Sequence, residues 1–160
     1  REEILNPPAP AVRAFTLRAW PDSDTRTYLD GDELKISIVA DEDCFLKVYH
    51  IDLNRDMQLI YPTGKSADNR LAAFVTRTIP EPGAVTYVLQ APFGQDTIKV
   101  VAARRQFENL AAEFNTVWKA EGETVRRAES YRGLAIRYAP DSPAVETVTV
   151  NFNFTVLPAR

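Results

Sequence analysis

The residues best suited to chemistry lie in one short stretch, HIDLNRDMQLIYP, which begins at His50. It holds the single histidine of the chain, followed by Asp52, Asn54 and Asp56 at alternate positions. Oxygen ligands at this spacing begin a calcium-binding EF-hand loop, but the glycine and the final glutamate of that loop are missing here. The stretch is therefore predicted to be a turn between two strands, because Asn and Asp favour turns. A weak surface calcium site on Asp52, Asn54 and Asp56 is the alternative.

His50 has no nucleophile within reach on its own strand. Cys44 lies six positions earlier, so both side chains leave the same face at a separation of about 20 Å. No G-x-S-x-G element presents a serine, and one Cys with one His is too few for a structural zinc site. The sequence therefore predicts no catalytic residue, no metal and no cofactor, with His50 as a surface or packing residue.

The elements that must position these residues are mostly strands. Apolar and polar side chains alternate in DELKISIVA and again in AVETVTVNFNFTVLP, which is typical of half-buried strands. DEDCFLKVYHID is apolar on both faces and is predicted to be a central strand covered on two sides. From about 105 to 121 the apolar spacing changes to three and four, which predicts an amphipathic helix. The expected fold is mainly β: an antiparallel, sandwich-like domain of about seven or eight strands with this one inserted helix.

Composition and charge limit the domain organisation and the partners. The net charge of -3 argues against nucleic acid as a partner, and no apolar run reaches the roughly 20 residues of a transmembrane helix. Residues 1–11 are charged and then proline-rich, as in a linker or tether, which leaves 12–160 as a single domain. Because the chain begins with Arg1 and not with methionine, we expect a fragment or a mature product, with any membrane tether outside it.

Two polar loops, YPTGKSADNR and APFGQD, are the predicted binding surface. Tyr61 and Phe93 flank these loops, and Arg70 ends the first of them. Loops with aromatic residues at their rim are common sites of protein recognition. Tyr61, Arg70 and Phe93 are therefore the candidate binding residues, and an exposed sheet edge is a second candidate for recognition by strand addition.

An ordered set of motifs resembles a bacterial domain of unknown function that occurs in secreted proteins, envelope lipoproteins and multidomain signalling proteins. The set covers about residues 28–103, although the hairpin glycine is missing near Arg55 and the acidic position after Gly94 is shifted to Asp96. The resemblance implies a β-rich accessory module and transfers no active site. The matching residues are Gly31, Asp32, Leu34, Phe45, Leu46, Val48, Tyr49, Tyr61, Pro62, Thr63, Asn69, Ile79, Pro80, Pro92, Gly94, Ile98 and Lys99.

The expected function is that of a non-catalytic interaction or accessory module in the bacterial cell envelope, or of an exported protein. Its partner would be another protein or an attached domain of the same polypeptide. Two alternatives stay open. One is a carbohydrate-binding or calcium-stabilised adhesin-type module; the other is a carboxylate-based hydrolase or a protease-associated inhibitor.

Overall fold

A computed structural model describes residues 14–64, 68–83, 85–120, 130–131, 134–135 and 147–160. The predicted linker, residues 1–11, lies outside these ranges. The described residues form fourteen strands and one helical turn, α1. In chain order they are β1 (Leu17–Pro21), β2 (Thr27–Leu29), β3 (Glu33–Leu34), β4 (Ile36–Ala40), β5 (Cys44–Ile51), β6 (Asp56–Tyr61), β7 (Arg70–Leu71), β8 (Arg77–Ile79), β9 (Tyr87–Val88), β10 (Gly94–Ala103), α1 (Leu110–Glu113), β11 (Val117–Lys119), β12 (Ser130–Tyr131), β13 (Leu134–Ala135) and β14 (Thr147–Leu157).

Two sheets make up the body of the fold. The larger has seven strands in the order β11-β6-β5-β10-β14-β2, with β7 paired to the start of β5; the smaller has the order β1-β4-β8. All of these pairs are antiparallel except β2–β14. The mainly β, sandwich-like fold expected from the sequence is therefore confirmed. Within the described ranges, no helix has the length and hydrophobicity that crossing a membrane requires.

The main core lies between the two sheets. Its side chains come from alternate positions of the facing strands, such as Ile36 and Ile38 of the smaller sheet and Ile98 and Phe154 of the larger. The exposed residues of β14 fall between the buried ones, as the two-residue period of a strand requires. The alternation read from the sequence therefore identifies the inner face correctly.

β5 is covered on both faces, as its sequence predicts. Leu46 and Val48 enter the core between the sheets. Tyr49 and Ile51 point the other way, into a second core beneath the segment 107–120. Hydrophobic side chains on both faces of one strand need this two-sided cover.

The helix expected at about 105–121 is mostly absent, which corrects that part of the prediction. Only Leu110–Glu113 is helical, and Val117–Lys119 is a strand paired with the edge of β6. Left-handed backbone at Asn109 (φ 59°) precedes the helical turn, and the extended Phe114 ends it, followed by left-handed Asn115 (φ 61°). The apolar side chains of the segment still cover the outer face of the larger sheet. β11 also forms backbone hydrogen bonds with β6, whose edge would otherwise be open.

Candidate functional site

The D-x-N-x-D stretch forms the β5–β6 hairpin. The Asp52 carboxylate accepts the backbone N–H groups of Asn54 and Asp56 at 2.9 and 3.0 Å. Asp56 is paired with Lys119 at 2.6 Å, and Arg55 takes a left-handed φ of 69° where a glycine would fit best. The predicted turn is confirmed, and two of the three candidate calcium ligands have structural partners.

Changing Asp52 to alanine is expected to lower the free energy of unfolding by about 1–2 kcal/mol, because two backbone donors of the turn lose a charged acceptor. Asp52→Asn retains one acceptor oxygen and should cost less. Urea unfolding measures both, with Asn54→Ala at an exposed position as the control. Equal stability of all three variants, or a calcium-dependent rise in the melting temperature of the unchanged protein, would contradict this role.

Cys44 and His50 do not form a catalytic pair. Both lie in β5, six residues apart, so the separation inferred from the sequence holds. Burial raises the pKa of the Cys44 thiol to about 11, with smaller contributions from Asp43 and Glu42. A reactive cysteine needs the opposite shift, so the thiol of Cys44 is a packing group.

His50 instead contacts a buried acid. His50 Nε2 and Asp96 Oδ2 are hydrogen-bonded at 2.7 Å, and the Asp96 side chain is only 6% exposed. His50 pairs with Ile98 across β5 and β10, which places Asp96 diagonally beside it on the same face. Phe154 pairs with Asp96 on the other side, with its ring 6.2 Å from that of His50. Within the described part of the chain, Asp96 Oδ1 has no hydrogen-bond partner.

A second buried acid holds α1 against the larger sheet. Glu113 accepts hydrogen bonds from Tyr49 OH and, at 3.2 Å, from Lys47 Nζ. The Lys47 ammonium also lies 4.6 Å from the centre of the Phe107 ring, where a cation is attracted to the π face. On the outer face of β5, the ion pair of Lys47 with Glu113 is therefore packed against the aromatic rings of Tyr49 and Phe107.

Tyr61, predicted to lie at the binding surface, is buried. Its side chain is 5% exposed in the core between the sheets. Its hydroxyl donates to the carbonyl of Asp68 at 2.9 Å and accepts from Arg77 at 2.9 Å, and burial raises its pKa. The structure therefore corrects this placement, since Tyr61 offers no ring to a partner.

Arg70 and Phe93 are both accessible but lie at opposite ends of the larger sheet. Arg70 pairs with Phe45 at the start of β5, opposite the end of β10. Phe93 directly precedes β10, whose first residue, Gly94, approaches Leu53 of the hairpin. The length of β10 separates the two ends by roughly 30 Å. Tyr61, Arg70 and Phe93 therefore do not form one patch.

Phe74 is the most exposed large hydrophobic side chain described. It is 77% exposed and has a left-handed φ of 64°. Two hydrogen bonds anchor its loop: Phe74 N–H donates to Ala40 O at the end of β4 at 2.7 Å, and Ala73 N–H donates to the side-chain Oδ1 of Asp43, just before β5, at 2.8 Å. The loop therefore holds an aromatic ring out into solvent.

An open cleft lies beside this loop. It has a volume of about 470 Å³ and is open on one side, unlike an enclosed small-molecule pocket. We call it the β7–β8 cleft. It is lined by Asp43, Asp68, Arg70, Leu71, Ala72, Val75, Thr76 and Arg77. Among the described residues, no three His, Cys, Asp or Glu side chains are grouped to hold a metal ion, here or elsewhere.

Comparison with protein families matches the chain to the domain of unknown function DUF4384 over residues 27–106. That range is half of the 160 residues. This chain belongs to the DUF4384 family. No curated protein matches the chain, and no solved structure does.

Motif residues of the DUF4384 domain have structural roles in this fold. Gly31 takes a φ of 91°, which favours glycine, and Asp32 accepts the N–H of Leu29 at 2.8 Å. Asn69 is fully buried, donates to Leu46 O at 2.9 Å and exchanges amide hydrogen bonds with Gln106. These residues therefore fix turns and loops.

Three residues of this chain were not predicted to have the contacts or the exposure that the structure shows: Asp96, Glu113 and Phe74. Asp96 had a detectable signal, because an acid occupies an inward position of a strand whose next inward residues are Ile98 and Val100. Glu113 had none, since acids are common on amphipathic helices. Phe74 had none either, since the sequence FVTRTIP that it begins is apolar enough for a strand, and its exposure depends on its position in a loop.

Proposed function

We propose that this DUF4384 domain is a non-catalytic interaction module that acts in the bacterial cell envelope or outside the cell. Its partner is another protein or an attached domain of the same polypeptide. The envelope location rests on the resemblance of the motifs to domains of exported bacterial proteins. The interaction role rests on the loop that carries Phe74.

The observation that carries the role is the combination of exposure and strain at Phe74. Left-handed backbone costs a residue with a side chain about 1–2 kcal/mol, and an exposed phenyl ring gains nothing from burial in the free protein. Strained residues of this kind cluster at binding sites. Contact with a partner would bury the ring and offset both costs.

The surroundings of Phe74 support the same role. Val75 adds a second exposed apolar side chain, and the loop is held by hydrogen bonds from Ala73 and Phe74 to Asp43 and Ala40. A loop that is already ordered loses little conformational entropy on binding, which favours affinity. Aromatic residues, Phe among them, are enriched in protein interfaces relative to the rest of the surface.

Site-specific photocrosslinking in the source cell tests the proposal. A photoreactive phenylalanine analogue at position 74 of the full polypeptide is expected to form a discrete adduct, between chains or within the chain. The same analogue at Val117, which is 59% exposed on β11, should form none. Adducts at neither position, or equally at both, would contradict the proposal.

Binding of the identified partner to the purified protein completes the test. Phe74→Ala should weaken binding by about 30-fold or more, the effect of removing an aromatic anchor. Val117→Ala should leave binding unchanged. Equal affinities of the two variants would exclude Phe74 as an anchor.

A further inference from the structure

The β7–β8 cleft is lined by residues of one strand from each sheet, Arg70 and Leu71 of β7 and Arg77 of β8. β7 pairs with β5 of the larger sheet, and β8 pairs with β4 of the smaller sheet. Among the described strands, β7 and β8 each pair with this one neighbour. A strand paired on one side can accept another extended chain along its free edge.

Of the two arginines that line the cleft, Arg70 has no carboxylate partner among the described residues. The guanidinium of Arg77 contacts Asp68 at 3.9 Å and Glu81 at 3.8 Å, and it donates to Tyr61 OH. The Arg70 guanidinium instead lies 5.6 Å from the centre of the Phe45 ring. A stacked arginine keeps its N–H groups at its edge, in the arrangement that binds a carboxylate with two hydrogen bonds.

The carboxylates of the cleft already serve the protein itself. Asp43 accepts the N–H of Ala73, and Asp68 accepts the N–H of Arg70 at 3.3 Å. Asp68 is also the longer-range partner of Arg77. Arg70 is therefore the arginine of the cleft that has no ion pair among the described residues, and Val75 adds an apolar side chain to the same lining.

We propose that the occupant of the β7–β8 cleft is an extended peptide segment with an acidic side chain that pairs with Arg70. An aliphatic side chain of the same segment packs against Phe74 and Val75. The inference rests on the proposed interaction role and adds the chemistry of the partner.

Selection from a phage-displayed library of random dodecapeptides tests this chemistry on the intact protein. The unchanged protein should enrich peptides with Asp or Glu at a fixed spacing from an aliphatic residue. Arg70→Glu should lose the acidic preference or replace it with Lys or Arg, and Arg70→Gln should lose it without reversal. Circular dichroism and thermal unfolding confirm that the variants are folded.

The matched control is Arg18→Glu. Arg18 is exposed and lies 5.5 Å from the ring of Trp20, so its stacking resembles that of Arg70 on Phe45. This variant should enrich the same acidic peptides as the unchanged protein. A synthetic copy of the enriched peptide should bind Arg70→Glu at least 10-fold more weakly, and neutralising its acid should have a similar effect.

Two results would overturn the inference: no enrichment of acidic peptides, or the same enrichment by Arg70→Glu. If either result were found while the photocrosslinking analogue at position 74 still formed a specific adduct, the acidic-peptide proposal would be wrong and the interaction role would stand. The absence of that adduct would instead count against the interaction role itself.

Discussion

Replacing His50 with alanine is expected to lower the free energy of unfolding by about 2–3 kcal/mol, the cost of leaving a buried carboxylate without its hydrogen-bond partner. His50 supplies the hydrogen bond to Asp96 Oδ2, and Asp96 Oδ1 has no partner among the described residues. Without the imidazole, the Asp96 carboxylate, which is 6% exposed, has no hydrogen-bond partner among the described residues. An unpaired buried charge is among the most destabilising features a fold can contain.

A double-mutant cycle with urea unfolding measures this effect. Asp96→Ala in the His50→Ala background removes the stranded carboxylate, so the double variant should be more stable than the sum of the two single changes predicts. Gln58→Ala is the control, because Gln58 of β6 is paired with His50 of β5 and its side chain is exposed. It should change stability by no more than about 0.5 kcal/mol. Additive single effects, each under about 1 kcal/mol, would contradict a coupled pair.

Replacing Glu113 with alanine is expected to lower the free energy of unfolding by about 3 kcal/mol. Its side chain is 6% exposed and that of Lys47 is 19% exposed, so the change leaves an ammonium group in a largely buried site. It also removes the acceptor that holds α1 to Tyr49 on β5. The loss should appear as reduced stability of the whole domain, because the segment 107–120 covers one face of its central strand.

Two neighbouring variants separate the charge from the general effect of substitution. Glu113→Gln still accepts the hydrogen bond from Tyr49 but removes the negative charge, and it should cost less than Glu113→Ala. Glu108→Ala removes an exposed acid shortly before α1 and should change stability by no more than about 0.5 kcal/mol. If urea unfolding gave equal midpoints for Glu113→Ala and Glu108→Ala, the buried network would have no energetic role.

The helical pattern at 105–121 shows why a local period can mislead. Apolar residues there follow steps of three and four, yet only four residues are helical. Left-handed Asn109 and Asn115 interrupt the helix, and the open edge of β6 pairs with β11. A free strand edge in the folded protein competes with weak helix propensity, and no property of the segment alone reports that edge.

The candidate binding residues show a similar division. Arg70 and Phe93 are accessible, as expected of polar loops, but β10 separates them. The ring of Tyr61 is buried because position 61 of β6 places its side chain on the inner face of the sheet. Exposure depends on which face of a strand meets the core, and the distance between loops depends on strand order.

The sequence was enough to predict a mainly β fold, the inner faces of β4 and β14, the two-sided burial of β5 and the hairpin at Asp52, although it predicted about seven or eight strands where the described residues form fourteen. These follow from the side-chain period of an extended backbone and from the turn preference of Asp and Asn, both of which act over a few residues. The contacts of His50 with Asp96 and of Lys47 with Glu113, and the exposure of Phe74, depend instead on the tertiary fold. Residues far apart in the chain meet only through strand order and register, which the whole fold fixes at once.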